Sequence, residues 1–375
     1  MMRRTRPLPL FFVMLLVLSC GLALEGAAAA PGWMRADSPK TWRFPRDNGA
    51  HDAYRTEWWY FTGILNDDRG DRYGFELTFF REGVGLKPED PGNPWSLRDI
   101  YFAHFAITDV SGKRFIIDER ASRTGPGLAG ASLDHLGVWL LDWRAHEEGG
   151  RLFLEAKSDI AQLNLELDAM KPPVLQGDKG LSRKGSLPGQ ASYYVSFTDL
   201  RTSGLLLIPR LAHPVRVRGI SWFDHEFGST QLAPNQSGWD WFGLHLSDGR
   251  DLMLYFLRRT DGSAEPESSG TIVDRSGRVR HLTVSQVRID VLDHWRSQKT
   301  GGLYPIRWRV RVPSEGLDVT LSPLLADQEL STPESTGVTY WEGAVDGQGT
   351  SGNGKVTCQG YAEMTGYAGK LGALF

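Results

Sequence analysis

The chain has 375 residues, 41% of them hydrophobic and 23% charged, which is typical of a globular protein long enough for two domains. Its formal net charge is −3 and it has no basic block, so the composition argues against nucleic acid as a partner. The 43 glycines and 13 tryptophans favour strands and tight turns over long helices.

Residues 1–30 have the pattern of a bacterial secretory signal. Three arginines among the first six residues precede an apolar run over residues 8–24, and small residues follow at 27–30. The run is too short and too weakly flanked for a lasting membrane span. We therefore expect export to the periplasm or beyond, with cleavage in the small-residue region. A lipoprotein-type cleavage site that ends at Cys20 is the alternative, and it would leave a lipid anchor on that cysteine.

The chain has two cysteines, and one of them lies in the expected leader. The exported body would hold Cys358 alone, so it has no internal disulfide and depends on packing. The leader carries three arginines and one glutamate, so the net charge of the body is −5. These features describe a mildly acidic exported protein.

Short runs of alternating apolar and polar residues recur along the chain, and turn residues separate them. The predicted strands cover residues 57–65, 73–81, 101–109, 151–156, 163–167, 193–200, 240–246, 252–258, 306–312 and 317–321. Helical periodicity over more than two turns is hard to find. The sequence therefore predicts an all-β protein.

Two stretches of the chain are similar to each other. Residues 58–67 align without gaps on 239–248, and residues 75–81 align on 252–258. Each copy predicts a hairpin of an aromatic strand, a polar turn and an apolar strand that ends in arginine. We interpret this as a duplication that gives two antiparallel barrels or sandwiches joined near residues 226–237, each closed sheet enclosing a cavity. Chance similarity between aromatic hairpins is the alternative.

The segments 219–229 and 238–242 place ionisable residues among aromatic ones. The ionisable members are Asp224, His225, Glu226 and Asp240, and the aromatic members include Trp222, Trp239 and Trp241. Carboxyls are costly to ionise among aromatic rings, so at least one should stay protonated near neutral pH. Such an acid can protonate an apolar substrate, and the ring faces can stabilise the resulting cation.

A structural role for the same residues remains open. On a strand, Asp224 and Glu226 would share one face and His225 would point to the other. The two carboxyls would share a proton, or they would bind loop amides, Arg216 or Arg218 and tie the domains together. For His225, a hydrogen-bonded structural residue is the first interpretation and a catalytic role is the second.

The first hairpin supplies further candidates. Trp58 and Tyr60 correspond to Trp239 and Trp241 in the alignment, and alternation places each pair on one face of its strand. Each pair is either part of a core or the wall of a cavity for a long apolar ligand. His104 lies in an apolar run, so it is either a hydrogen-bonded core histidine or a ligand contact.

Other chemistries fit the sequence less well. The histidines and acids lack a spacing such as His-Glu-x-x-His, and a single body cysteine excludes cysteine ligation, so we predict no metal site. The segment from Gly349 to Lys355 resembles a phosphate-binding loop, but Val356 follows and begins a predicted strand instead of a helix. No organic cofactor is expected, because protonation of an alkene needs only an acid and a shaped pocket.

Several motifs occur in order between residues 45 and 370. They are His51-Asp-x-x-x-x-Glu-Trp-Trp-Tyr-Phe-Thr-Gly63, Phe102-Ala-His104, Ala191-Ser-Tyr-Tyr194, Gly219-x-Ser-Trp-x-Asp-His-Glu-Phe-Gly228, Gly238-Trp-Asp-Trp-Phe242, Trp341-Glu-Gly-Ala-Val345 and Gly360-Tyr-x-Glu-x-Thr-Gly-Tyr367. Together they resemble the lipocalin-like carotenoid 1,2-hydratase superfamily, which includes hydroxyneurosporene synthase and secreted attachment-related proteins of bacteria. The resemblance implies two tandem lipocalin-like antiparallel β-barrels, which we place at residues 31–227 and 228–375.

The resemblance also implies a reaction. In the hydratases, an aspartate in a Trp-x-Asp-x-Glu segment is the proposed proton donor to a terminal isoprenoid double bond, and water captures the resulting cation. That role falls on Asp224 here, with Glu226 assisting. His225 stands where the carotenoid enzymes often have arginine, which fits the secreted branch better than a carotenoid substrate.

Two functions follow as expectations. The first is a hydratase or cyclase for an apolar, isoprenoid-like or polyketide-like substrate, with Trp222, Trp239 and Trp241 shielding the cation. The second is a non-enzymatic carrier of a hydrophobic ligand, which needs the same aromatic walls but no protonated acid. In both cases the partner is an apolar small molecule.

Overall fold

A computed structural model of the protein describes residues 32–85, 93, 95–229, 232–369 and 371. The expected signal segment and Cys20 lie outside the described residues. Antiparallel strands make up nearly all the regular structure of the described part, so the all-β prediction is confirmed. None of the helices in these ranges has the length and apolar character that crossing a membrane requires.

The first sheet has thirteen strands in the described part of the chain. They are β1 (Thr56–Asp67), β2 (Arg72–Gly83), β3 (Asp99–Asp109), β4 (Arg114–Arg123), β5 (Ala129–Ala131), β6 (Gly137–Leu140), β7 (Trp143–Glu148), β8 (Arg151–Lys157), β9 (Gln162–Ala169), β10 (Val174–Leu175), β11 (Leu181–Arg183), β12 (Ala191–Leu207) and β13 (Val215–Gly228). The main order is β4-β3-β2-β1-β13-β12-β9-β8-β7-β6-β5. The sheet curls round one core, which includes Trp59, Phe61, Trp143 and Phe223.

The second sheet has ten strands in the described part. They are β14 (Gln236–Leu246), β15 (Asp251–Arg259), β16 (Ser269–Val273), β17 (Val279–Thr283), β18 (Arg288–Arg296), β19 (Leu303–Val312), β20 (Leu317–Pro323), β21 (Glu329–Ser331), β22 (Thr339–Ser351) and β23 (Gly354–Met364). The main order is β17-β16-β15-β14-β23-β22-β20-β19-β18, around a core that includes Phe242, Trp308 and Trp341. Short 3-10 helices lie at Arg46–Asn48, Val284–Gln286 and Pro313–Glu315.

The two similar hairpins occupy equivalent places in the two sheets. The strand β1 pairs with β2 and β13, and β14 pairs with β15 and β23. This agrees with a duplicated barrel-like unit, and the prediction of two tandem lipocalin-like sheets is confirmed. The first sheet ends at Gly228 and the second begins at Gln236. The exact domain boundary stays a prediction.

The sheets meet through faces that point away from their own cores. A separate buried cluster joins Tyr60, Tyr194 and Trp222 of the first sheet to Trp241 and Tyr255 of the second. Because side chains alternate along a strand, β1 can send Trp59 into its barrel core and Tyr60 into this junction. Alternation therefore gives each central strand two buried faces.

Candidate active site between the two sheets

A cavity lies at the junction of the two sheets. The cavity has a volume of about 1160 Å³, which includes its opening to solvent. Its aromatic walls are Trp58, Tyr60, Phe80, Tyr194, Trp239, Trp241, Tyr255 and Tyr340. Side chains fill the interiors of both sheets, so this cavity lies between the barrels, next to the expected joint near residues 226–237, and not inside either barrel.

The strand β13 sends two acids into this cavity. Asp224 lies opposite Tyr60 of β1, and Glu226 lies opposite Trp58. Both carboxyls line the cavity, because residues two apart share a face of a strand. The four residues therefore form two adjacent cross-strand pairs on one wall.

Asp224 accepts three hydrogen bonds but has no cationic partner among the described residues. Tyr194 Oη donates to Oδ2 at 2.6 Å, while Ser196 Oγ and Trp222 Nε1 donate to Oδ1 at 2.5 and 2.7 Å. Burial raises the pKa of Asp224 to about 7, although these donors oppose the shift. Asp224 is therefore a protonated acid over the acidic range up to neutral pH.

Glu226 has a different environment. Lys184 Nζ lies 2.8 Å from Glu226 Oε1, and Ser192 Oγ donates to the same oxygen. The ammonium group of Lys184 also lies 4.0 Å from the centre of the Tyr255 ring. Glu226 is thus ion-paired, and neither Arg216 nor Arg218, which are exposed, pairs with it.

His225 does not reach the cavity, so a catalytic role for it does not fit the structure. Its side chain points to the opposite face of β13, where Nε2 lies 2.9 Å from Glu57 Oε1 and Nδ1 lies 3.1 Å from the Asp47 carbonyl oxygen. The ring stacks on Trp59 at 5.0 Å. Alternation along the strand explains this position, and it favours the structural interpretation.

Among the described residues, one group has the spacing of a metal site. It consists of His51, Glu57 and His225, whose possible ligand atoms lie within 4.8 Å of one another. These atoms already hydrogen-bond to each other, with His51 Nδ1 2.9 Å from Glu57 Oε1. Arg81 Nε lies 3.1 Å from Glu57 Oε2, and Lys40 Nζ lies 3.4 Å from His51 Nε2. A metal ion would face these positive groups, so the geometry fits a hydrogen-bonded core network better.

Two further predicted substrate contacts also lie outside the cavity lining. Asp240 is on the opposite face of β14 from Trp239 and Trp241, where it pairs with Arg258. Trp222 lies behind the wall, and its Nε1 donates to Asp224 instead of facing the cavity. The structure therefore does not place Asp240 in this cavity, and Trp222 positions the acid.

The remaining predicted residues do line the cavity: Trp58, Tyr60, His104, Trp239 and Trp241. His104 is buried and hydrogen-bonded, as a core histidine would be, and it also borders the cavity, so ligand contact stays a prediction. Burial lowers the pKa of His104 to about 3, so the imidazole is neutral at ordinary pH.

A second group of acids, absent from the predicted site residues, comes from β2 of the first sheet and from β22 and β23 of the second. Glu76 and Glu363 line the cavity, and Glu342 lies behind it, accepting a hydrogen bond of 2.6 Å from Tyr60 Oη. Burial raises the pKa of Glu76 to about 7 and that of Glu363 to about 8. Glu342 directly follows Trp341, and Glu363 lies two residues after Tyr361, both within motifs quoted above, and that was the available signal.

The comparisons with known proteins match nearly the whole chain. The family pattern described as AttH-like matches residues 35–367. An AttH homologue from Nitrosomonas europaea, known from a crystal structure, is 35% identical with a TM-score of 0.78, covering 91% of this chain and 99% of that one. No protein with a curated description matches this sequence.

Two more distant structures share the fold. Kievitone hydratase from Nectria haematococca is 15% identical with a TM-score of 0.69, covering 92% of this chain and 98% of that one. CghA, solved with Sch210972, is 14% identical with a TM-score of 0.52, covering 84% and 89%. At these identities the likeness is one of fold. The family match and the Nitrosomonas relative, by contrast, establish that this chain belongs to the AttH-like family.

Proposed function

We propose that the protein adds water to, or cyclises, an apolar isoprenoid-like or polyketide-like substrate by acid catalysis in the cavity between the sheets. The observation that carries this proposal is Asp224, an acid that borders an aromatic cavity, is 3% exposed and has no cationic partner among the described residues. A neutral carboxyl in such a place can protonate an alkene that water cannot protonate at useful rates.

The three donors to Asp224 support the same role. When the acid gives its proton to the terminal carbon of an alkene, a carboxylate and a tertiary cation form together. Tyr194, Ser196 and Trp222 then stabilise the new carboxylate through charge-assisted hydrogen bonds that are stronger than those to the neutral acid. The surrounding groups therefore favour the product of proton transfer more than its starting state.

The aromatic walls would stabilise the other product of this step. The side chains of Trp58, Trp239 and Trp241 line the cavity, and aromatic faces attract a cation in a site that excludes water. A water molecule then adds its oxygen to the cation and loses one proton, so the net reaction is the addition of water. In a cyclisation, a second double bond of the substrate would replace that water.

The fold that the chain shares with kievitone hydratase supports the hydratase class without identifying a substrate. We also propose that the protein works outside the cytoplasm. That placement rests on the signal-like residues 1–30, with a lipid anchor at Cys20 as the alternative to free release.

The test is hydration of farnesol, an isoprenoid alkene, in water labelled with oxygen-18. Mass spectrometry should detect a labelled hydration product with the parent protein and none with Asp224→Asn, which keeps the shape but removes the acid. Asp240→Asn is the matched control, because Asp240 is an aspartate of the next motif along the chain whose side chain does not line the cavity.

A different result of the same experiment would support the alternative function, a non-enzymatic carrier. If the parent and D224N bind farnesol and squalene equally well, as measured by tryptophan fluorescence, and both alkenes are recovered unchanged, the acid has no catalytic use. The proposal would then be wrong, and the cavity would serve as a binding site only.

A further inference from the structure

We propose that Glu76 is a second acid–base residue of the cavity and that Tyr340, His104, Ser335 and Glu119 form a proton relay from it to the protein surface. The catalytic purpose of this relay rests on the proposed function. The relay itself can be tested without any turnover.

The inner half of the relay joins Glu76 to His104. Tyr340 Oη lies 2.7 Å from His104 Nδ1 and 3.3 Å from Glu76 Oε1. A phenol has only one hydrogen to donate, and the shorter contact is to the imidazole nitrogen. Tyr340 therefore donates to His104 and can accept a hydrogen bond from the protonated carboxyl of Glu76.

The outer half continues in the same direction. His104 Nε2 lies 3.0 Å from Ser335 Oγ, and Ser335 Oγ lies 2.5 Å from Glu119 Oε2. With Nδ1 as acceptor, a neutral imidazole carries its hydrogen on Nε2 and donates it to Ser335, which donates to Glu119. The hydrogen bonds thus run one way, from buried Glu76 to Glu119, which is partly exposed.

Each member of the relay can both accept and donate a proton. When Glu76 passes its proton to Tyr340 Oη, the phenolic proton moves to His104 Nδ1, the Nε2 proton moves to Ser335, and the hydroxyl proton of Ser335 moves to Glu119. One proton leaves Glu76, one arrives on Glu119, and no oxidant or other reactant is required. Because His104 is neutral, it does not trap the proton as a stable imidazolium.

The position of Glu76 explains what such a relay would do. Its Oε2 is buried and has no hydrogen-bond partner among the described residues, so it is free to contact a water molecule or ligand in the cavity. In a hydration, Glu76 would pass its own proton out along the relay, and the carboxylate left behind would accept the proton that water loses after adding to the cation. An apolar substrate that fills the cavity keeps solvent away, so the relay gives that proton a separate exit.

The test measures hydrogen–deuterium exchange at Glu76 with the cavity filled by decane, an inert hydrocarbon. Protein held below the pKa of about 7 is mixed rapidly with D2O, and the infrared band of protonated Glu76 is identified by its loss in Glu76→Gln. Tyr340→Phe and Ser335→Val each interrupt the relay and should slow the exchange of this band by about 100-fold. Ser335→Val keeps the test decisive if the buried Tyr340→Phe fails to fold.

The matched control is Thr78→Val. Thr78 Oγ1 donates to Glu76 Oε1 at 2.9 Å but is not part of the relay, so the exchange rate should stay that of the parent. Exchange at the parent's rate in both relay variants, or the absence of a protonated band that depends on Glu76, would overturn the proposal. Asp224→Asn should abolish hydration and leave this exchange unchanged, which separates failure of the relay from failure of the proposed function.

Discussion

Buried acids lie on both faces of β1 and β13, and the acids on the two faces differ in charge state. Glu57, on the core face, is 1% exposed, and Asp224, on the cavity face, is 3% exposed. Burial alone would raise the pKa of both. For Glu57, hydrogen bonds from His225 and His51 and the charge of Arg81 overcome burial and hold its pKa well below the usual range. For Asp224, burial prevails and the pKa rises to about 7.

The difference teaches that, for these two acids, the hydrogen-bond partners and the counter-charge together decide the charge state, since the degree of burial is nearly equal. A buried acid beside a guanidinium is a structural ion pair, and breaking it is costly. A buried acid without a cation stays protonated and is available for proton transfer. On this criterion, the core network stabilises the fold and the cavity supplies the chemistry.

The largest expected effect comes from removing the positive charge of Arg81 from the core network around Glu57, in which Arg81, His51 and His225 contact that acid. Arg81→Met would leave Glu57 buried without its guanidinium, and Asp99 would also lose the contact of 2.9 Å that it receives from Arg81. We expect the free energy of unfolding to fall by about 3–5 kcal/mol. Urea denaturation measures this change.

Asp224→Asn is the comparison for that variant. An amide replaces a neutral acid of similar shape, so at acidic pH the loss of stability should be about 1 kcal/mol. Equal losses in R81M and D224N would mean that both acids are structural ion-pair members, which contradicts the contrast.

The second prediction concerns pH. Because the folded pKa of Asp224 lies near 7, above the ordinary value of 3.8, the folded protein keeps a proton that the unfolded chain releases. Its stabilising effect is present below 3.8 and is lost as pH rises towards 7. The unfolding free energy of D224N relative to the parent should therefore increase over that window, by on the order of 1.4 kcal/mol per pH unit.

Glu57→Gln should show the opposite sign. The lowered pKa of Glu57 contributes stability above its ordinary value of 4.5, and that contribution is lost as pH falls below it. The cost of Glu57→Gln should therefore shrink in acid. Urea denaturation across the acidic and neutral range compares the two variants, and slopes of the same sign would refute the assignment of opposite charge states.

The sequence predicted the fold well because alternation is a local property. Every predicted strand lies within an observed one, for example residues 57–65 within β1. Several strands were missed. The longer ones β13 (Val215–Gly228) and β22 (Thr339–Ser351) have long runs in which both faces are buried, so burial does not alternate along those runs. Of the others, β21 (Glu329–Ser331) has only three residues, and β18 (Arg288–Arg296) is exposed along most of its length. A strand of three residues, or one that is exposed on both faces, has no recognisable alternating pattern.

The site was harder to predict because it depends on which faces meet. Alternation alone separates Asp240 from Trp239 and Trp241, and the sequence analysis grouped them by proximity along the chain instead. Glu76 and Glu363 were missed for another reason. They come from β2 and β23, and only the docking of the two sheets brings them to one cavity. The motif that contains Glu363 marks it as a residue of interest, but no local pattern shows that it meets Glu76.

The smallest expected effect tests the missing counter-charge directly, by supplying a cation as ligand. Dodecyldimethylamine and dodecanol have the same apolar chain, but only the amine is cationic at neutral pH. The acids of the cavity can ionise beside that cation, and the aromatic walls attract it, so the amine should bind about tenfold more tightly. Tryptophan fluorescence measures both affinities.

The preference for the amine should grow as pH rises through 7, because Asp224 and Glu76 then ionise more readily, and Asp224→Asn should reduce that preference. Equal affinities at every pH would mean that the cavity responds only to apolar surface, and its acids would be no more available than Glu57.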